Sequence, residues 1–436
     1  MSISTERVKV TITPTVYLET YGCWLNQGDS EIMLALLEDI GFTKVKAPEQ
    51  ADLILVNTCA VRGETERKIL RRLKALDAIR KPGSKLIVAG CLATYRPALI
   101  ASTAPSASLL STFSVEKVVE VTLTPGRLAV LDKGPRRYLR LPRFKGGRRC
   151  VVPIAVGCLG SCAYCVMPLS RGPLRSYPPS EVLRYVKEAV EAGAGEVYLV
   201  AQDAAAYGRD IGYSLPNLLR DICKVEGEFM VRVGMMEPST TLKVLQPLLE
   251  AFSDDKVYKF LHCPVQSGSD KVLELMNRRY NVDVFLSIVE AYRSSFPDGS
   301  LATDIMVGLP GEEEADFKQT CELLKRIEPD KVHIARFTPR PLTPAASMPH
   351  PPDWVKKERS RRLTLLVDEL TLQRNRRWLG REVKVLVTGE VKEGSLMGRT
   401  YTYKPVVLPR QPGLAWRWVN ASITEAHPYY LKATLL

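Results

Sequence analysis

A loop with three cysteines in C-x3-C-x2-C spacing constrains this chain more than any other feature. Cys158, Cys162 and Cys165 follow an apolar, strand-like run at 150–156, so they are predicted at the carboxyl end of a strand. A closed zinc site needs four ligands, and no fourth Cys or His lies nearby in the sequence. Three thiolates suit a 4Fe-4S cluster that keeps one iron open for a further ligand. The alternatives are a three-ligand zinc site and cysteines buried for structural reasons.

Length and composition indicate a cytoplasmic protein with reduced cysteines. The 436 residues suffice for two or three domains. Neither a signal-peptide core near the N-terminus nor an apolar run of membrane-spanning length is present, so no membrane contact is expected. Ten cysteines in such a chain favour metal binding over disulfides, and only four histidines argue against His-rich chemistry. The net charge of +13 predicts an anionic partner, most often nucleic acid.

The first segment alternates apolar runs with amphipathic helices, which predicts a parallel α/β sheet. Three of its predicted strands are each followed by a cysteine, namely Cys23, Cys59 and Cys91. Because ligand sites of open α/β sheets lie at the carboxyl ends of strands, these cysteines are expected to converge on a second iron–sulfur cluster. The alternative is three separately buried small residues.

The chain divides into four predicted parts: an N-terminal domain at 14–125, a basic linker at 126–149, a central domain at 150–375 and a C-terminal domain at 376–436. Between residues 133 and 149 the linker carries eight Lys or Arg and no acid, which indicates either a solvated surface or a phosphate contact. Six strand-like runs alternating with helical patterns in the central part predict a partial (β/α)6 barrel. The last part has short Val-, Thr- and aromatic-rich strands, typical of a small β-barrel. Its basic residues alternate with aromatic residues, a pattern that suits RNA binding. Some of the aromatic rings are expected in the core of the barrel instead.

Ordered motifs along the whole chain resemble those of the radical S-adenosylmethionine (radical-SAM) methylthiotransferase family. The motifs are Tyr21-Gly22-Cys23 with Asn26 and Asp29-Ser30-Glu31, Asn57-Thr58-Cys59, Gly90-Cys91, the 158–165 loop, Arg171-Gly172-Pro173-Leu174-Arg175, Gln266-Ser267-Gly268-Ser269, Thr303-Asp304 and Gly308-Leu309-Pro310-Gly311-Glu312. The C-terminal part, with Gly398-Arg399-Thr400, is similar to an RNA-binding TRAM domain. Motifs at 207–212 and 341–346 resemble the branch of archaea and eukaryotes.

The resemblance implies a transferase that adds a methylthio group to carbon 2 of N6-threonylcarbamoyladenosine beside the tRNA anticodon. It also implies two 4Fe-4S clusters and S-adenosylmethionine (SAM) as cofactors. Cys158, Cys162 and Cys165 would hold the cluster that binds SAM, and Cys23, Cys59 and Cys91 the auxiliary cluster. The partners expected are the tRNA anticodon loop, an electron-donor protein and a sulfur donor, and the expected state is a monomer. The remaining cysteines, Cys150, Cys223, Cys263 and Cys321, are assigned structural roles.

SAM needs polar groups at the strand ends around its cluster. Candidates are Tyr164, Gln202, Asp203, Gln266, Ser267, Asp304, Arg171 and Arg175. The alternative for the strand-end polar groups is ordinary loop capping. Three other functions stay open: methylthiolation of N6-isopentenyladenosine in tRNA, methylthiolation of a ribosomal-protein aspartate, and a non-catalytic iron–sulfur tRNA-binding protein.

Overall fold

The structure, a computed structural model, describes residues 13–132, 134, 141–392 and 394–436. The chain forms two compact units that divide between residues 136 and 137. In the described part of the chain, no helix combines the length and the apolar character needed to cross a membrane.

The first unit is a parallel six-stranded sheet with the strand order β2-β1-β3-β4-β5-β6. Its strands are β1 Thr15–Thr20, β2 Thr43–Lys44, β3 Leu53–Thr58, β4 Lys85–Gly90, β5 Ser108–Leu110 and β6 Ala129–Val130. Its helices are α1 Trp24–Asp39, α2 Gly63–Ile79, α3 Cys91–Tyr95, α4 Pro97–Thr103 and α5 Val118–Leu123. Every residue of β3 is buried, as expected for a central parallel strand covered on both faces. The predicted N-terminal parallel α/β sheet is confirmed.

The second unit contains six parallel strands arranged as two three-stranded sheets, β11-β10-β7 and β12-β13-β14. The sheets meet at a parallel bridge between Val231 and Val257. The parallel strands are β7 Arg149–Pro153, β10 Glu196–Val200, β11 Met230–Val233, β12 Phe260–His262, β13 Ser300–Val307 and β14 Lys331–Arg336, and an antiparallel pair is formed by β8 Ala155–Val156 and β9 Arg175–Ser176. The predicted partial barrel of six β/α units is confirmed.

Nine helices accompany these strands in the described part of the second unit. They are α6 Met167–Arg171, α7 Pro179–Glu191, α8 Leu215–Cys223, α9 Pro238–Leu242, α10 Leu245–Phe252, α11 Asp270–Leu275, α12 Val282–Ser295, α13 Glu314–Ile327 and α14 Asp353–Arg376. Amphipathic α7 buries Val182, Tyr185, Val186 and Ala189, a spacing that places one apolar stripe on the core.

The C-terminal segment is a closed barrel with the order β15-β16-β17-β19-β18, as predicted. Its strands are β15 Glu382–Lys392, β16 Ser395–Thr400, β17 Pro405–Pro409, β18 Trp418–Ala426 and β19 Leu431–Leu435. The core includes Val385, Val406, Leu431 and the indole of Trp378. Closure removes the exposed edges that a small sheet would otherwise present.

A buried ionic network joins this small barrel to the central barrel. Lys404 Nζ lies 2.6 Å from Asp330 Oδ1 and donates to Asn375 Oδ1 at 2.7 Å. Asp330 also pairs with Arg293 at 3.1 Å and Arg374 at 3.2 Å. Burial alone would raise the pKa of Asp330, but the three cations together hold it below its usual value. Three basic side chains thus share one carboxylate at the junction.

The division between residues 136 and 137 falls inside the predicted linker at 126–149. Residues 133 and 135–140 of that linker lie outside the described residues. The described part, 141–149, runs along α7, where the Leu141 amide donates to Glu181 and Arg148 donates to the Gly193 carbonyl. The predicted domain boundaries at 125, 149 and 375 stay predictions.

Candidate active site

The loop at 157–165 follows the short strand β8, as predicted from its position after an apolar run. It begins at Gly157, whose φ is +77° and where an added Cβ would lie 1.9 Å from the Pro173 carbonyl oxygen. Only glycine tolerates both the backbone conformation and this approach. The Cys158 amide then donates to the Gly172 carbonyl at 3.2 Å, which ties the loop to the segment after α6.

Two of the three cysteine sulfurs in this loop accept hydrogen bonds from backbone amides. Cys158 Sγ accepts from the Gly160 amide at 3.2 Å, and Cys165 Sγ from the Met167 amide at 3.4 Å. An added Cβ on Gly160 would lie 3.4 Å from Cys158 Sγ and 3.6 Å from Cys162 Sγ. Burial raises the pKa of Cys158 to about 11 and that of Cys165 to about 12. Thiols in such surroundings ionise when a metal binds them.

Neither group of three cysteine sulfurs is as closely spaced as the ligands of a single zinc ion. Zinc with Zn–S bonds of about 2.3 Å needs its sulfurs within about 4.6 Å of one another. Among the described residues, the one set of three ligand atoms within 4.8 Å of one another is His262, Asp304 and His333, so neither cysteine triad has that spacing. Cysteines that bind different irons of one cluster can stand farther apart.

A basic residue that the sequence reasoning missed lies behind the loop. Arg278 donates to the Tyr164 hydroxyl, and its guanidinium stands 5.6 Å from the Tyr164 ring and 5.8 Å from the Tyr280 ring. Its charge favours the thiolate forms of Cys158 and Cys165. No sequence signal marks Arg278. Its neighbour Asn277 anchors the loop, because the Asn277 side chain donates to the Ser161 carbonyl at 2.8 Å.

The two polar candidates after β10 have different surroundings. Gln202 Oε1 is buried without a hydrogen-bond partner among the described residues, an acceptor suited to a ligand N–H. Asp203 is 3% exposed and accepts from the Glu237 amide at 3.0 Å and from Thr240 Oγ1 at 2.7 Å. Burial, and less strongly the Glu237 charge, raise the pKa of Asp203 to about 6. Asp203 therefore positions Glu237, which the sequence reasoning did not single out.

The candidates after β12 also differ. Gln266 has a φ of +73°, a backbone conformation that bulky residues rarely adopt and that recurs at functional sites. Ser267 is 1% exposed, and its hydroxyl contacts Thr320 Oγ1 at 3.3 Å and accepts from the Ser269 amide. These contacts match the loop-capping alternative, and the SAM contact of Ser267 stays a prediction.

Asp304 on β13 lies between two histidines on the flanking strands. His262 Nε2 stands 2.9 Å from Asp304 Oδ1, and the His262 and His333 rings are 5.5 Å apart. The small number of histidines gave no reason to expect this grouping. The strand registers explain it, since β13 pairs with both β12 and β14 and aligns Asp304 with His333.

The two arginine candidates flank the cysteine loop. Arg171 ends α6 and is buried, and Arg175 lies on β9 opposite Val156. These positions put both arginines on the segments that hold the loop, and their predicted roles stay predictions.

In the first unit, Cys23, Cys59 and Cys91 follow β1, β3 and β4, which are neighbours in the sheet. Cys23 precedes α1, and Cys91 begins α3. Gly22 has a φ of +114°, and an added Cβ there would lie 2.9 Å from Cys59 Cβ and 3.1 Å from its sulfur. The parallel register thus brings the three cysteines to one edge.

Asn26 lies at the centre of this group. The thiols of Cys23 and Cys91 approach its Oδ1 at 3.6 and 3.7 Å. Its Nδ2 donates to the carbonyls of Tyr21 and Thr58, both at 2.9 Å. The side chain, 1% exposed, therefore ties two strand ends together and fixes the distance between the sulfurs.

The aromatic residues of the C-terminal barrel divide into two groups. Tyr403 and Trp416 face the central barrel, where an added Cβ on Gly195 would lie 3.1 Å from the Trp416 ring. Tyr401 and Trp418 are exposed at 42% and 38%. Tyr429 is also exposed, at 59%, so the rings of Tyr401, Trp418 and Tyr429 have surface available to stack on bases.

Three family models match the chain. They are described as "Uncharacterized protein family UPF0004" at residues 15–111, "Radical SAM superfamily" at 152–324 and "TRAM domain" at 376–436. The first contains Cys23, Cys59 and Cys91, and the second contains the C-x3-C-x2-C loop.

Curated relatives match over nearly the whole length. A "Probable threonylcarbamoyladenosine tRNA methylthiotransferase" of Pyrococcus horikoshii is 42% identical over 97% of this chain and 99% of its own length. A "tRNA-2-methylthio-N(6)-dimethylallyladenosine synthase" of Moorella thermoacetica is 35% identical over 97% of this chain and 98% of its own length. Among solved structures, the radical S-adenosylmethionine methyltransferase TsrM from Kitasatospora setae, determined with cobalamin and a 4Fe-4S cluster, has a TM-score of 0.55 at 12% identity. The match covers 77% of this chain and 74% of that one and concerns the fold alone.

Proposed function

The chain belongs to the radical-SAM tRNA methylthiotransferase family, and we propose that it adds a methylthio group to carbon 2 of N6-threonylcarbamoyladenosine in tRNA. The observation that carries the proposal is the pair of cysteine triads in a chain that ends in a TRAM barrel. One triad lies at the carboxyl ends of three neighbouring parallel strands, and the other lies on the single loop after β8. The 42% identity with a relative named for this substrate supports the choice of nucleoside.

In this proposal Cys158, Cys162 and Cys165 hold a 4Fe-4S cluster. Together with SAM and one electron, this cluster would supply a 5′-deoxyadenosyl radical, with methionine as the other product. Such a radical suits an adenine C–H bond, which is not acidic enough for a side-chain base. The buried acceptor Gln202 Oε1 is suited to the amino group of SAM. Arg278 balances the negative charge of the thiolates and orients Tyr164 within the loop.

Cys23, Cys59 and Cys91 hold the second 4Fe-4S cluster in this proposal. The chemistry expected there is delivery of a sulfur atom that a second SAM methylates. The protein's contribution is geometric, because Asn26 fixes Cys23 and Cys91 against the ends of β1 and β3. Both reducing equivalents and sulfur must come from outside, so an electron-donor protein and a sulfur donor are further partners of the proposal.

An anaerobic assay tests the proposal. The reconstituted protein is incubated with SAM, a reductant, sulfide and tRNA bearing N6-threonylcarbamoyladenosine, and digested nucleosides are analysed by mass spectrometry. We expect a product heavier by one methylthio group that is lost in Cys158→Ala and Cys59→Ala. Cys321→Ala is the matched control, because Cys321 lies on α13 outside both triads. Formation of 5′-deoxyadenosine without a modified nucleoside would contradict the choice of substrate.

The second candidate substrate is the N6-dimethylallyl nucleoside named for the Moorella relative. The two candidates differ in charge, since only the threonylcarbamoyl group carries a carboxylate. A competition assay with two tRNAs that differ only in this nucleoside measures which of the two candidates the enzyme modifies preferentially. Preferential modification of the uncharged nucleoside would favour the second candidate.

A further inference from the structure

The central barrel contains a cationic cluster whose positive charge exceeds that of the one carboxylate facing it. The cluster consists of Arg232 on β11, Lys331 at the start of β14 and Arg399 on β16 of the C-terminal barrel. The guanidinium groups of Arg232 and Arg399 stand 5.4 and 4.6 Å from the same Tyr403 ring. Desolvation of the ammonium group, and then the charges of these two arginines, lower the pKa of Lys331. The opposing carboxylate is Asp304, which already contacts His262. Three cations therefore face one carboxylate that is partly engaged.

Arg232 is the most enclosed member of this cluster. Its side chain is 8% exposed, and its Nε is buried without a hydrogen-bond partner. The guanidinium stands 5.4 Å from the Tyr198 ring, 5.2 Å from Phe260 and 5.4 Å from Tyr403. Among the described residues, no carboxylate forms an ion pair with it. Aromatic rings attract a cation, but they do not satisfy the five N–H donors of a guanidinium.

In the described part of the chain, the two other cations also form no ion pair with a carboxylate. Arg399 Nη1 reaches only the Tyr403 carbonyl at 3.5 Å, and its Nε is buried and unpartnered. Lys331 makes no hydrogen bond with a described residue. The residue as a whole is exposed, while its ammonium group is partly desolvated. A buried guanidinium beside two further cations is costly unless an anion completes the site.

The position of the cluster defines which anion can reach it. Side chains two residues apart share one face of a strand, so Lys331 and His333 lie on the same face of β14. His333 is about 6.6 Å closer to the carboxyl end, where the cysteine loop lies. The order from the carboxyl ends inward is therefore the cysteine loop, then the layer of His262, Asp304 and His333, then the cationic cluster. A base inserted from the carboxyl ends keeps its phosphates outside, and only a substituent on the base extends farther in.

We propose that Arg232, with Lys331 and Arg399, binds the carboxylate of the threonylcarbamoyl group. This inference rests on the proposed function and names the residues that would distinguish a charged N6 substituent from an apolar one. A planar guanidinium offers paired N–H donors that match a carboxylate. A site built for a charged group rejects an uncharged analogue strongly, because its own charges are then left unpaired.

The test compares three anticodon stem-loop RNAs that carry N6-threonylcarbamoyladenosine, its methyl ester or unmodified adenosine. The ester removes the charge while nearly keeping the shape. Dissociation constants are measured by fluorescence anisotropy with the cluster-loaded protein and SAM, without reductant, so that no turnover occurs. We expect wild type to bind the acid at least about tenfold more tightly than the ester. Arg232→Met should abolish this preference and leave ester binding unchanged.

Further variants keep the test decisive. Lys331→Met, at an exposed position, should reduce the preference without loss of folding, and Arg232→Lys should keep part of it. Arg220→Met is the charge-matched control, because Arg220 pairs with Glu250 on the outer helices. Thermal unfolding of each variant checks that the fold is intact.

Three outcomes count against the proposal in different ways. Equal binding of acid and ester by a wild type that methylthiolates the acid overturns the carboxylate site and leaves the proposed function standing. Equal weakening of all three RNAs by Arg232→Met assigns the cluster to an RNA phosphate and overturns the carboxylate assignment. A wild type that cleaves SAM but modifies neither threonylcarbamoyl RNA contradicts the proposed function itself.

Discussion

The hydroxyl oxygens of Tyr198 on β10 and Tyr403 of the C-terminal barrel lie 2.7 Å apart. The Tyr403 ring also packs against Tyr258 and Phe260, with centroids 5.0 and 4.9 Å away. One side chain of the small barrel thus fills the amino-terminal end of the central barrel. This contact fixes the orientation of an RNA-binding module relative to the site where the base must react.

Removal of the Tyr403 ring should loosen this junction. Tyr403→Ala is expected to lower the free energy of unfolding by about 3 kcal/mol, because removal of a large, partly buried ring leaves a cavity. Tyr403→Phe keeps the ring and should cost only about 1 kcal/mol for the lost hydrogen bond. Urea unfolding checks both values. A double-mutant cycle with Tyr198→Phe should show coupling, and strict additivity would argue that the hydroxyl contact contributes nothing.

The ionic network at Asp330 predicts a second effect on stability. Asp330→Asn leaves Lys404, Arg374 and Arg293 without their shared carboxylate and should cost about 3–5 kcal/mol at pH 7. Asp298→Asn is the control, since Asp298 forms an exposed pair with Arg381 that is worth about 0–1 kcal/mol. A loss no larger than that of the control would mean that the network does not hold the junction.

The same network predicts a pH dependence with a definite sign. Because the pKa of Asp330 is lowered in the folded state, its stabilising contribution is complete above the unfolded value of about 3.9. The contribution disappears as the pH falls through the folded-state pKa. The difference in unfolding free energy between wild type and Asp330→Asn should therefore shrink below about pH 4. Urea titrations at pH 7 and pH 3 measure it, and a constant difference would contradict the assignment.

Asn26 provides a test of the first cysteine group. Asn26→Asp places a negative charge beside the sulfurs of Cys23 and Cys91 and removes the donor to two strand ends, so iron binding there should fall severalfold. Iron content is measured in a background that lacks Cys158, Cys162 and Cys165, so that only this group can bind iron. Asn217→Asp, on the exposed start of α8, is the control. Unchanged iron content in Asn26→Asp would show that the amide is not needed.

The positions of both cysteine groups could be predicted from sequence because each depends on local order. Cys59 and Cys91 directly follow apolar strands, and parallel strands bring their carboxyl ends to one edge. The same reasoning located the C-x3-C-x2-C loop after its strand. Both predictions require only that the strands are parallel, and neither requires knowing which strands are neighbours in the sheet.

Residues that depend on tertiary packing could not be found in this way. Arg278 is one of 61 basic residues, and nothing local marks it as the one beside Tyr164. His262 and His333 come together because β13 stands between their strands. The 70 positions between them in the sequence contain no pattern that would predict this. Likewise, the interleaved rings of the C-terminal segment gave no indication that Tyr403 faces the central barrel while Tyr401 stays exposed.

The entry to the cysteine loop offers a test that separates the two iron sites. Gly157→Ala forces a Cβ to within 1.9 Å of the Pro173 carbonyl oxygen, so the loop must shift and Cys158 must move away from its position. We expect loss of SAM cleavage, measured as 5′-deoxyadenosine, while iron bound by the Cys23 group is kept. Gly212→Ala is the matched control, because Gly212 has a similar φ of +69° but no atom within 4 Å of an added Cβ. The control should lose about 1 kcal/mol of stability from backbone strain and retain cleavage. Equal loss in both variants would indicate that strain, rather than the steric contact at Pro173, disables the loop.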